Sequence, residues 1–460
     1  MTVSKKTIIA AAGVGGTDYI GSAYHVITNS QSISLGVEID ASTGYVGFVA
    51  KDASLNLHHI DLIDENGDYL WSKKFSVGNS NSWSLGLDFD DDSVYFFSRF
   101  TNSSWETGKL SKDTGALTQL GQWTANDYIG GNHGRGLLLN GYFYVSGWEM
   151  DDYQSISYGD IAHTTRNQFL SDCGVVNLGS SYPYGKGIEY TVTGADSFYV
   201  SIANWLGSVG NKGWVAQYSV TNNTTISRTI SKFIGSDSNP DSRDICTNSV
   251  TDSNGNLYVS GFARNSGGAG NNYKTYFMKF NSSGVFQWSR DVANDAFPDT
   301  DYRYGRFSSF ICSEGNIHFS VPLYQSATPG HRFIFTCDSD GNLISKTRVY
   351  FPQASITSNY NFCSMAGDGF VLVGGSTASP YETNLVRFPL NTDISYTSSE
   401  LVIDYDDAAT WTPTVESNYS ISNTGGTPGL VNQTNIASAS SNTVSDRTSP
   451  AWASPIDIPY

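Results

Sequence analysis

One seven-residue pattern recurs seven times along this chain of 460 residues. It begins at a Gly or Asp and continues into a β-branched or aromatic run, as in GNLYVSG from the fifth copy. Successive copies start 48 to 60 residues apart, at Gly44, Asp92, Gly141, Asp196, Gly255, Gly315 and Asp368. Seven copies at a period of about 50 residues predict a repeat architecture, in which each copy contributes one structural unit.

Each unit has internal order beyond this signature. HIDLIDENGDYLWSKKF in the first unit and YFMKFNSSGVFQWSRDV in the fifth align without gaps, with Gly67 opposite Gly284 and Trp71 opposite Trp288. Two apolar runs joined at a Gly indicate a hairpin. One more strand candidate precedes each signature, such as SISLGVEID in the first unit. Each unit therefore predicts four antiparallel strands, which is the blade of a β-propeller.

The predicted fold is all-β, a seven-bladed β-propeller of four-stranded antiparallel blades over residues 29–405. Aromatic and aliphatic side chains of the signatures are expected to pack between neighbouring blades, and Gly255 to occupy a turn with positive φ. Residues 1–28 are interpreted as an N-terminal docking arm. Residues 406–460 form an extended tail rich in Ser, Thr and Asn, which we expect to be disordered or to order only against a partner.

Charge and composition exclude some partners. The chain carries 43 acidic and 26 basic residues, a formal net charge of -17, which repels phosphate backbones and argues against nucleic-acid binding and docking on anionic membranes. No run of 18 apolar residues predicts membrane insertion. The start, MTVSKKTIIAAAGVGG, superficially resembles a signal peptide, but its apolar part is short, so a segment that docks on a partner is the alternative. Five scattered cysteines indicate free thiols rather than disulfides or a zinc site.

Two stretches resemble known proteins. DSNGNLYVSGFA…YFMKFNSSGVFQWSRDV resembles the bacterial β-propeller repeats written GNxYVxGxT…xxxKxxxxGxxxW, over roughly residues 30–405. SKKTIIAAAGVGG followed by such repeats is similar to virion proteins of marine tailed phages. This resemblance implies a structural subunit, a tail fibre or capsid decoration, assembled in the host cytoplasm. It also implies other virion proteins as partners through the N-terminal arm, and a homo-oligomer within the particle.

No arrangement of residues predicts catalysis. Carboxylates in DFDDDS (Asp88–Ser93) and WEMDDY can serve acid–base chemistry, but any acidic surface offers such carboxylates, and solvated loops are the favoured interpretation. Asp-rich turns such as DSDGN and DSNGN raise the question of calcium, and turn chemistry explains them without metal. His58 and His59 are adjacent and are expected on opposite faces of a strand. We therefore expect no catalytic residues, no metal ligands and no cofactor.

Carbohydrate binding is the activity that the aromatic residues favour. Trp148 and Trp205 are placed just past signature strands, where loops reach one face of the ring, and indole faces stack on sugar rings. The alternative for each is a Trp that packs between blades. The sequence thus predicts a non-enzymatic virion subunit that binds host surface polysaccharide. The alternative function is an extracellular β-propeller enzyme of the glycosidase, sialidase-like or quinoprotein type.

Overall fold

The computed structural model of the chain consists of β-strands joined by turns. No helix among the described residues is long and apolar enough to cross a membrane. The structure describes residues 22–28, 32–52, 57–76, 85–101, 104–124, 136–139, 141–149, 153–160, 166–172, 184–194, 196–206, 210–221, 225–236, 245–264, 273–292, 310–313, 315–323, 331–352, 362–366, 369–375, 383–390, 392–407, 419–423, 429–431, 438–439, 445–446 and 454–458.

The described strands form seven antiparallel sheets, numbered here in chain order. Strand β1 (Tyr24–Thr28) precedes sheet 1, which contains β2 (Ser32–Ile39), β3 (Val46–Asp52), β4 (Leu57–Ile63) and β5 (Tyr69–Ser76). Sheet 2 contains β6 (Leu85–Phe89), β7 (Ser93–Thr101), β8 (Ser104–Ser111) and β9 (Leu117–Thr124). Sheet 3 contains β10 (Gly136–Leu139), β11 (Tyr142–Glu149), β12 (Tyr153–Asp160) and β13 (Arg166–Asp172).

The remaining sheets repeat this order. Sheet 4 contains β14 (Tyr184–Gly194), β15 (Ser197–Leu206), β16 (Gly210–Thr221) and β17 (Thr225–Ser236). Sheet 5 contains β18 (Ile245–Thr251), β19 (Leu257–Arg264), β20 (Tyr273–Phe280) and β21 (Phe286–Val292). Sheet 6 contains β22 (Phe310–Ser313), β23 (Asn316–Leu323), β24 (His331–Cys337) and β25 (Leu343–Tyr350), and sheet 7 contains β26 (Phe362–Ala366), β27 (Gly369–Gly375) and β28 (Thr383–Pro389). The all-β class and the four-stranded antiparallel unit are confirmed.

The sheets follow one another around a closed cycle. Their first strands contact each other in order, β2 with β6, β6 with β10, β10 with β14, β14 with β18, β18 with β22 and β22 with β26. β26 in turn contacts β2, which closes the cycle. The first strands therefore lie towards the centre of the ring, and the fourth strands form its outer edge.

The core lies between neighbouring sheets, as the signature segment of sheet 5 illustrates. Leu257 and Val259 pack with Tyr199 of sheet 4, whereas Tyr258 packs with Phe319 of sheet 6. Successive side chains of a strand point to opposite faces, so one strand supplies both inter-sheet layers. The expectation that signature side chains pack between units is confirmed. The preceding turn has Gly255 at φ 74°, as its position in the signature predicts.

The N-terminal boundary differs from the sequence interpretation. β1, assigned to a docking arm that ended at residue 28, is the fourth strand of sheet 7, because it pairs along its whole length with β28. His25 Nε2 and Asn384 Oδ1 lie 3.1 Å apart across this pair. A five-residue strand without an adjoining hairpin turn carries little sequence signal, and its pairing joins residues more than 350 positions apart.

The C-terminal tail also differs, because its described residues pair with the chain's own sheets. β30 (Val402–Asp406), with β29 (Tyr396–Thr397) beside it, extends sheet 6. Four further strands each add to an outer edge, namely β31 (Tyr419–Asn423) to sheet 4, β32 (Gly429–Val431) to sheet 3, β33 (Ser438–Ala439) to sheet 2 and β34 (Ser445–Asp446) to sheet 1, whereas no described tail strand pairs with sheet 5. Finally β35 (Ile456–Asp457) pairs with β1. We name β30–β35 the tail belt.

The two ends of the ring differ in their connections. The links between first and second strands, and between third and fourth strands, are short turns such as 40–45, 64–68, 252–256 and 338–342. We name this the turn end. The links between second and third strands and between successive sheets leave from the opposite end, the loop end. They include residues 125–135, 173–183 and 293–309, which lie outside the described part of the chain.

Neighbouring sheets are joined at the turn end by an aromatic side chain that fits over a glycine. A Cβ on Gly115 would lie 2.8 Å from the Trp71 ring, and Trp71 Nε1 donates a 2.7 Å hydrogen bond to the Lys112 carbonyl oxygen. At the corresponding joint, a Cβ on Gly341 would lie 2.8 Å from Trp288. Trp71 and Trp288, which the repeat aligns, therefore make equivalent contacts with a turn glycine of the following sheet.

This joint predicts a matched pair of substitutions. Gly341 has φ +78° with Trp288 against it, whereas Gly315 has φ +81° with nothing within 4 Å. Gly315→Ala carries only the backbone cost, about 1 kcal/mol. Gly341→Ala adds overpacking, and we expect it to cost about 2 kcal/mol more in urea denaturation. Equal destabilisation by the two substitutions would contradict the proposed joint.

Candidate functional site

The two tryptophans singled out by the sequence lie at the loop end of neighbouring sheets. Trp148 is the last residue but one of β11, paired with Gln154. Trp205 holds the same place in β15, paired with Asn211. Both were expected just past their strands, and the structure instead includes both in the ladder, because the pairing of second and third strands continues to the strand ends. Their side chains are outside the described part of the chain.

Lys51 occupies the equivalent position in sheet 1. It is the last residue but one of β3 and is 8% exposed. Burial lowers the pKa of Lys51 below its ordinary value, because a charged ammonium is disfavoured away from water. Sequence reasoning missed this residue, since a lysine near a strand end carries no signal without the alignment of strand ends. The loop end of sheets 1, 3 and 4 thus carries a long side chain at one shared position.

A Ser, a His and an Asp meet inside sheet 1. Asp61 Oδ1 accepts a short hydrogen bond from Ser72 Oγ and lies 3.3 Å from His59 Nδ1. All three are buried, with exposures of 4% or less. Nucleophilic activation requires the imidazole between hydroxyl and carboxylate, whereas here both groups bind the carboxylate directly. This arrangement is a buried polar network. His58 and His59 contact Phe75 and Phe48 on opposite faces, as expected.

The acidic segment of sheet 2 has structural contacts. Asp88 is 7% exposed, and its carboxylate accepts hydrogen bonds from Phe89 N at 2.8 Å and from Leu138 N of sheet 3 at 3.2 Å. Asp90 accepts hydrogen bonds from Asp92 N and from the Tyr95 hydroxyl. These carboxylates hold turns and join sheets, so the pair offers no acid–base geometry around an open space.

The Asp-rich turns use their carboxylates internally. Asp338 Oδ1 accepts hydrogen bonds of 2.9 Å from Asp340 N and Asn342 N, and Oδ2 accepts one of 2.7 Å from Asn342 Nδ2. Burial alone would raise the pKa of Asp338, but these hydrogen bonds outweigh it and lower the pKa. Asp252 makes the same contacts in sheet 5. No group of three His, Cys, Asp or Glu side chains within the described ranges is arranged to hold a metal ion.

A histidine at the loop end predicts acid sensitivity. His331 begins β24 and stacks on Tyr350 with ring centroids 4.4 Å apart. Burial and the nearby charge of Arg348 lower the pKa of His331 from 6.5 to about 4. Between those pH values the unfolded chain binds a proton that the folded protein does not, so the free energy of unfolding falls as pH falls.

We expect the free energy of unfolding of His331→Phe to depend less on pH than that of the wild-type protein. The substitution keeps an aromatic ring beside Tyr350 and removes the titration. We expect it to recover on the order of 1 kcal/mol of the stability lost on acidification, after discounting for solvent screening. Urea denaturation at several pH values between about 4 and 6.5 measures how steeply the free energy of unfolding changes with pH. Identical slopes for both proteins would show that His331 is not the group responsible.

Comparisons with known proteins bear on architecture. No protein-family model and no curated protein matches the chain. Among solved structures it is similar to the WD40 domain of SCAP from fission yeast, with TM-score 0.38 and 9% identity over 77% of this chain and 84% of that chain. It is similar to the GH93 alpha-L-arabinofuranosidase of Fusarium graminearum in complex with arabinobiose, with TM-score 0.40 and 10% identity over 67% and 92%.

A third similar structure is the subtype N10 neuraminidase-like protein of A/little yellow-shouldered bat/Guatemala. Its TM-score is 0.36 and its identity 12%, over 65% of this chain and 95% of that chain. These are structural similarities to β-propeller proteins. Because the identities and TM-scores are low, they carry nothing about binding or catalysis.

Proposed function

We propose that the chain is a seven-bladed β-propeller and a non-enzymatic structural subunit of a tailed-phage virion, a tail fibre, appendage or capsid decoration. The observation that carries this proposal is the division of the ring into two unlike ends. Short hydrogen-bonded turns form one end, and the long connections between successive sheets leave from the other, together with the shorter links between second and third strands. A subunit that is anchored at one end and displayed at the other has this layout.

The turn end is suited to anchoring. The chain enters the described part at Ser22, whose N–H donates a 2.9 Å hydrogen bond to the Glu65 carbonyl oxygen in a turn of sheet 1. The described part of the chain therefore begins at this end. The N–H of Ile458, the last described residue, donates a 3.0 Å hydrogen bond to the Ala23 carbonyl oxygen. The end of the tail belt therefore also lies at the turn end. Other virion proteins are the proposed partners of this end.

The loop end is suited to recognition. Long connections on a rigid body are the usual carriers of binding residues. Trp148 and Trp205 lie at matching positions of adjacent sheets, which supports a shared surface for a host surface polysaccharide. Their proposed role is stacking on sugar rings, with Asn and Ser side chains of the loops as hydrogen-bond partners.

Cryo-electron microscopy of the particle that contains the chain tests the structural role. The expected result is a density in which the turn end contacts other subunits and the loop end faces solvent. A free-standing protein that is found outside particles would overturn the proposal. In that case the enzymatic alternative, a secreted glycosidase, sialidase-like or quinoprotein propeller, becomes the hypothesis to test.

A glycan array tests the recognition role separately. We expect the protein to bind a subset of polysaccharides, and Trp148→Ala or Trp205→Ala to weaken binding about tenfold or more, as loss of a stacking aromatic does. Phe286→Ala is the matched control, because Phe286 is an exposed aromatic residue at the turn end. Hydrolysis of a bound glycan by the wild-type protein would contradict the non-enzymatic assignment.

A further inference from the structure

The exposed large apolar side chains within the described ranges all lie at the turn end. They are Leu70, Leu117, Val285, Phe286, Ile344 and Ile456, between 39% and 56% exposed. The first five stand at or next to the first residue of an outer strand, directly after its turn. Ile456 pairs with His25 beside Tyr24, which packs on Gly67 in a turn of sheet 1. We name these six residues the apolar rim.

The charges around the apolar rim are predominantly negative. Asp68, Asp113 and Asp340 are exposed on these turns, and Asp91 and Asp92 on the neighbouring turn of sheet 2. Lys279 and Arg290 donate hydrogen bonds to carbonyl oxygens of the 338–342 turn, so the excess of negative charge is greatest at sheets 1 and 2. The lysine of these turns, Lys112, is buried against Asp40, and Lys73 is only partly exposed. A second copy docking through the same face would bring acidic turns against acidic turns, which is unfavourable. The rim therefore fits an apolar partner that carries positive charge.

The chain itself contains such a segment. In residues 1–21, Lys5 and Lys6 are followed by Ile8 and Ile9, and Asp18 is the one acidic residue of that segment. The segment joins the ring at Ser22, at the turn end between sheets 7 and 1. We propose that in the free protein residues 1–21 lie across the rim of sheets 1 and 2, with the isoleucines on Leu70 and Leu117 and the lysines beside Asp68 and Asp113.

The length of the segment allows this path. Ile9 and Lys5 stand 13 and 17 residues before Ser22, so when fully extended the chain carries them at most ~45 and ~60 Å from it. The tail belt provides a measure of what is needed, since it passes from Asp446 on sheet 1 to Ile456 on sheet 7 within a short stretch of chain. The segment therefore reaches the rim of both sheets from Ser22. Tethering beside the site favours binding within one molecule over binding between molecules.

Carbodiimide cross-linking of the full chain tests the contact directly. This reagent joins an amine to a carboxylate only when the two touch. We expect links from Lys5 or Lys6 to Asp68 or Asp113, found by mass spectrometry in the monomer fraction, and loss of these links in high salt. Links only to distant carboxylates, links only in dimers, or no links would each overturn the proposal.

Limited trypsin digestion supplies a second, independent measurement. Trypsin cleaves after Lys5 and Lys6, and binding on the rim slows this cleavage. We expect the double substitution Leu70→Ser with Leu117→Ser to speed cleavage about tenfold or more, because the apolar contacts are lost. Ile344→Ser is the matched control, since Ile344 has the same place in β25 on the distant sheet 6. Equal acceleration by both variants would overturn the assignment to sheets 1 and 2.

Both experiments use the isolated protein and are independent of the proposed virion role. A negative result therefore leaves that role standing, and absence of the chain from particles leaves the rim contact standing.

Discussion

Removing residues 408–460 is expected to lower the melting temperature by ~10 °C or more, since losing several paired strands costs on the order of 5 kcal/mol. The truncation uncovers the outer strands of sheets 1, 2, 3 and 4 and of β1. It also removes Ile458, which is 2% exposed in the core between sheets 6 and 7. Uncovered edge strands offer unpaired N–H and C=O groups to other molecules, so aggregation is expected as well.

A series of truncations separates the contribution of β35 and Ile458 from that of the other tail strands. Ending the chain after Asp446 removes only β35 and Ile458, and ending it after Ile458 removes only the last two residues. We expect the chain that ends at Ile458 to melt at the wild-type temperature, the chain that ends at Asp446 to melt at a lower temperature, and the chain that ends at Asp407 to melt at the lowest. Light scattering follows aggregation in the same samples. Equal melting temperatures across the series would mean that the tail belt contributes nothing to stability.

Lys112→Met is expected to destabilise the protein by about 3 kcal/mol or more, because it leaves a buried carboxylate without its counter-charge. Lys112 Nζ lies 2.7 Å from Asp40 Oδ2 and donates to the Asp90 carbonyl oxygen at 2.6 Å. Both charged side chains are nearly inaccessible, and they join the turns of sheets 1 and 2. Burial would raise the pKa of Asp40, but hydrogen bonds from Lys112, Thr43 and Ser42 outweigh it and lower the pKa.

Two variants separate the charge effect from a general loss of packing. Lys109→Met is the surface control, since its ammonium lies 3.8 Å from Asp90 and is partly exposed, and it should cost well under about 1 kcal/mol. Asp40→Asn combined with Lys112→Met should recover much of the loss, because no unpaired charge remains. Since the pKa of Asp40 is lowered, its contribution should fade as pH falls through that folded-state pKa. A double variant as unstable as Lys112→Met would contradict this explanation.

The parts of the fold that could be predicted from the sequence are those with local signals. The seven second strands begin within two residues of the signature starts, because a turn residue followed by an alternating apolar run specifies a strand and its face. The aligned turn glycines Gly67 and Gly284 both have positive φ, as does Gly255, for which the sequence predicts it. Trp71 and Trp288 each stand four residues after these two turn glycines, Gly67 and Gly284, and they fill equivalent joints with the following sheet.

The ends of the chain could not be predicted, for a physical reason. β33 and β34 are two-residue strands of Ser, Ala and Asp that attach through backbone hydrogen bonds to distant partners. Such pairing needs no apolar alternation, and the polar composition of the tail therefore predicts disorder or ordering only against a partner. β1 lacked a neighbouring hairpin in the sequence, because its partner lies at the far end of the chain.

The position of the two candidate tryptophans in the fold could be predicted only in part. Trp148 and Trp205 do lie at the end from which long connections leave, but within the strands rather than beyond them. Lys51 shares their position and has no sequence signature. Strand ends depend on how far neighbouring strands keep pairing, which a single strand's sequence does not encode.

The pairing of β1 with β28, and of β35 with β1, has a consequence for biosynthesis. β1 cannot pair until its partner at Thr383–Pro389 has been made, and strands β31–β35 are made later still. A nascent chain therefore carries open sheet edges for most of its translation, and ring closure joins contacts that are very distant in sequence. Folding with such long-range contacts is slow and exposed to aggregation. Strands β31–β35 thus act on the newly made protein much as a chaperone would, because they cover the outer edges of sheets 4, 3, 2, 1 and 7.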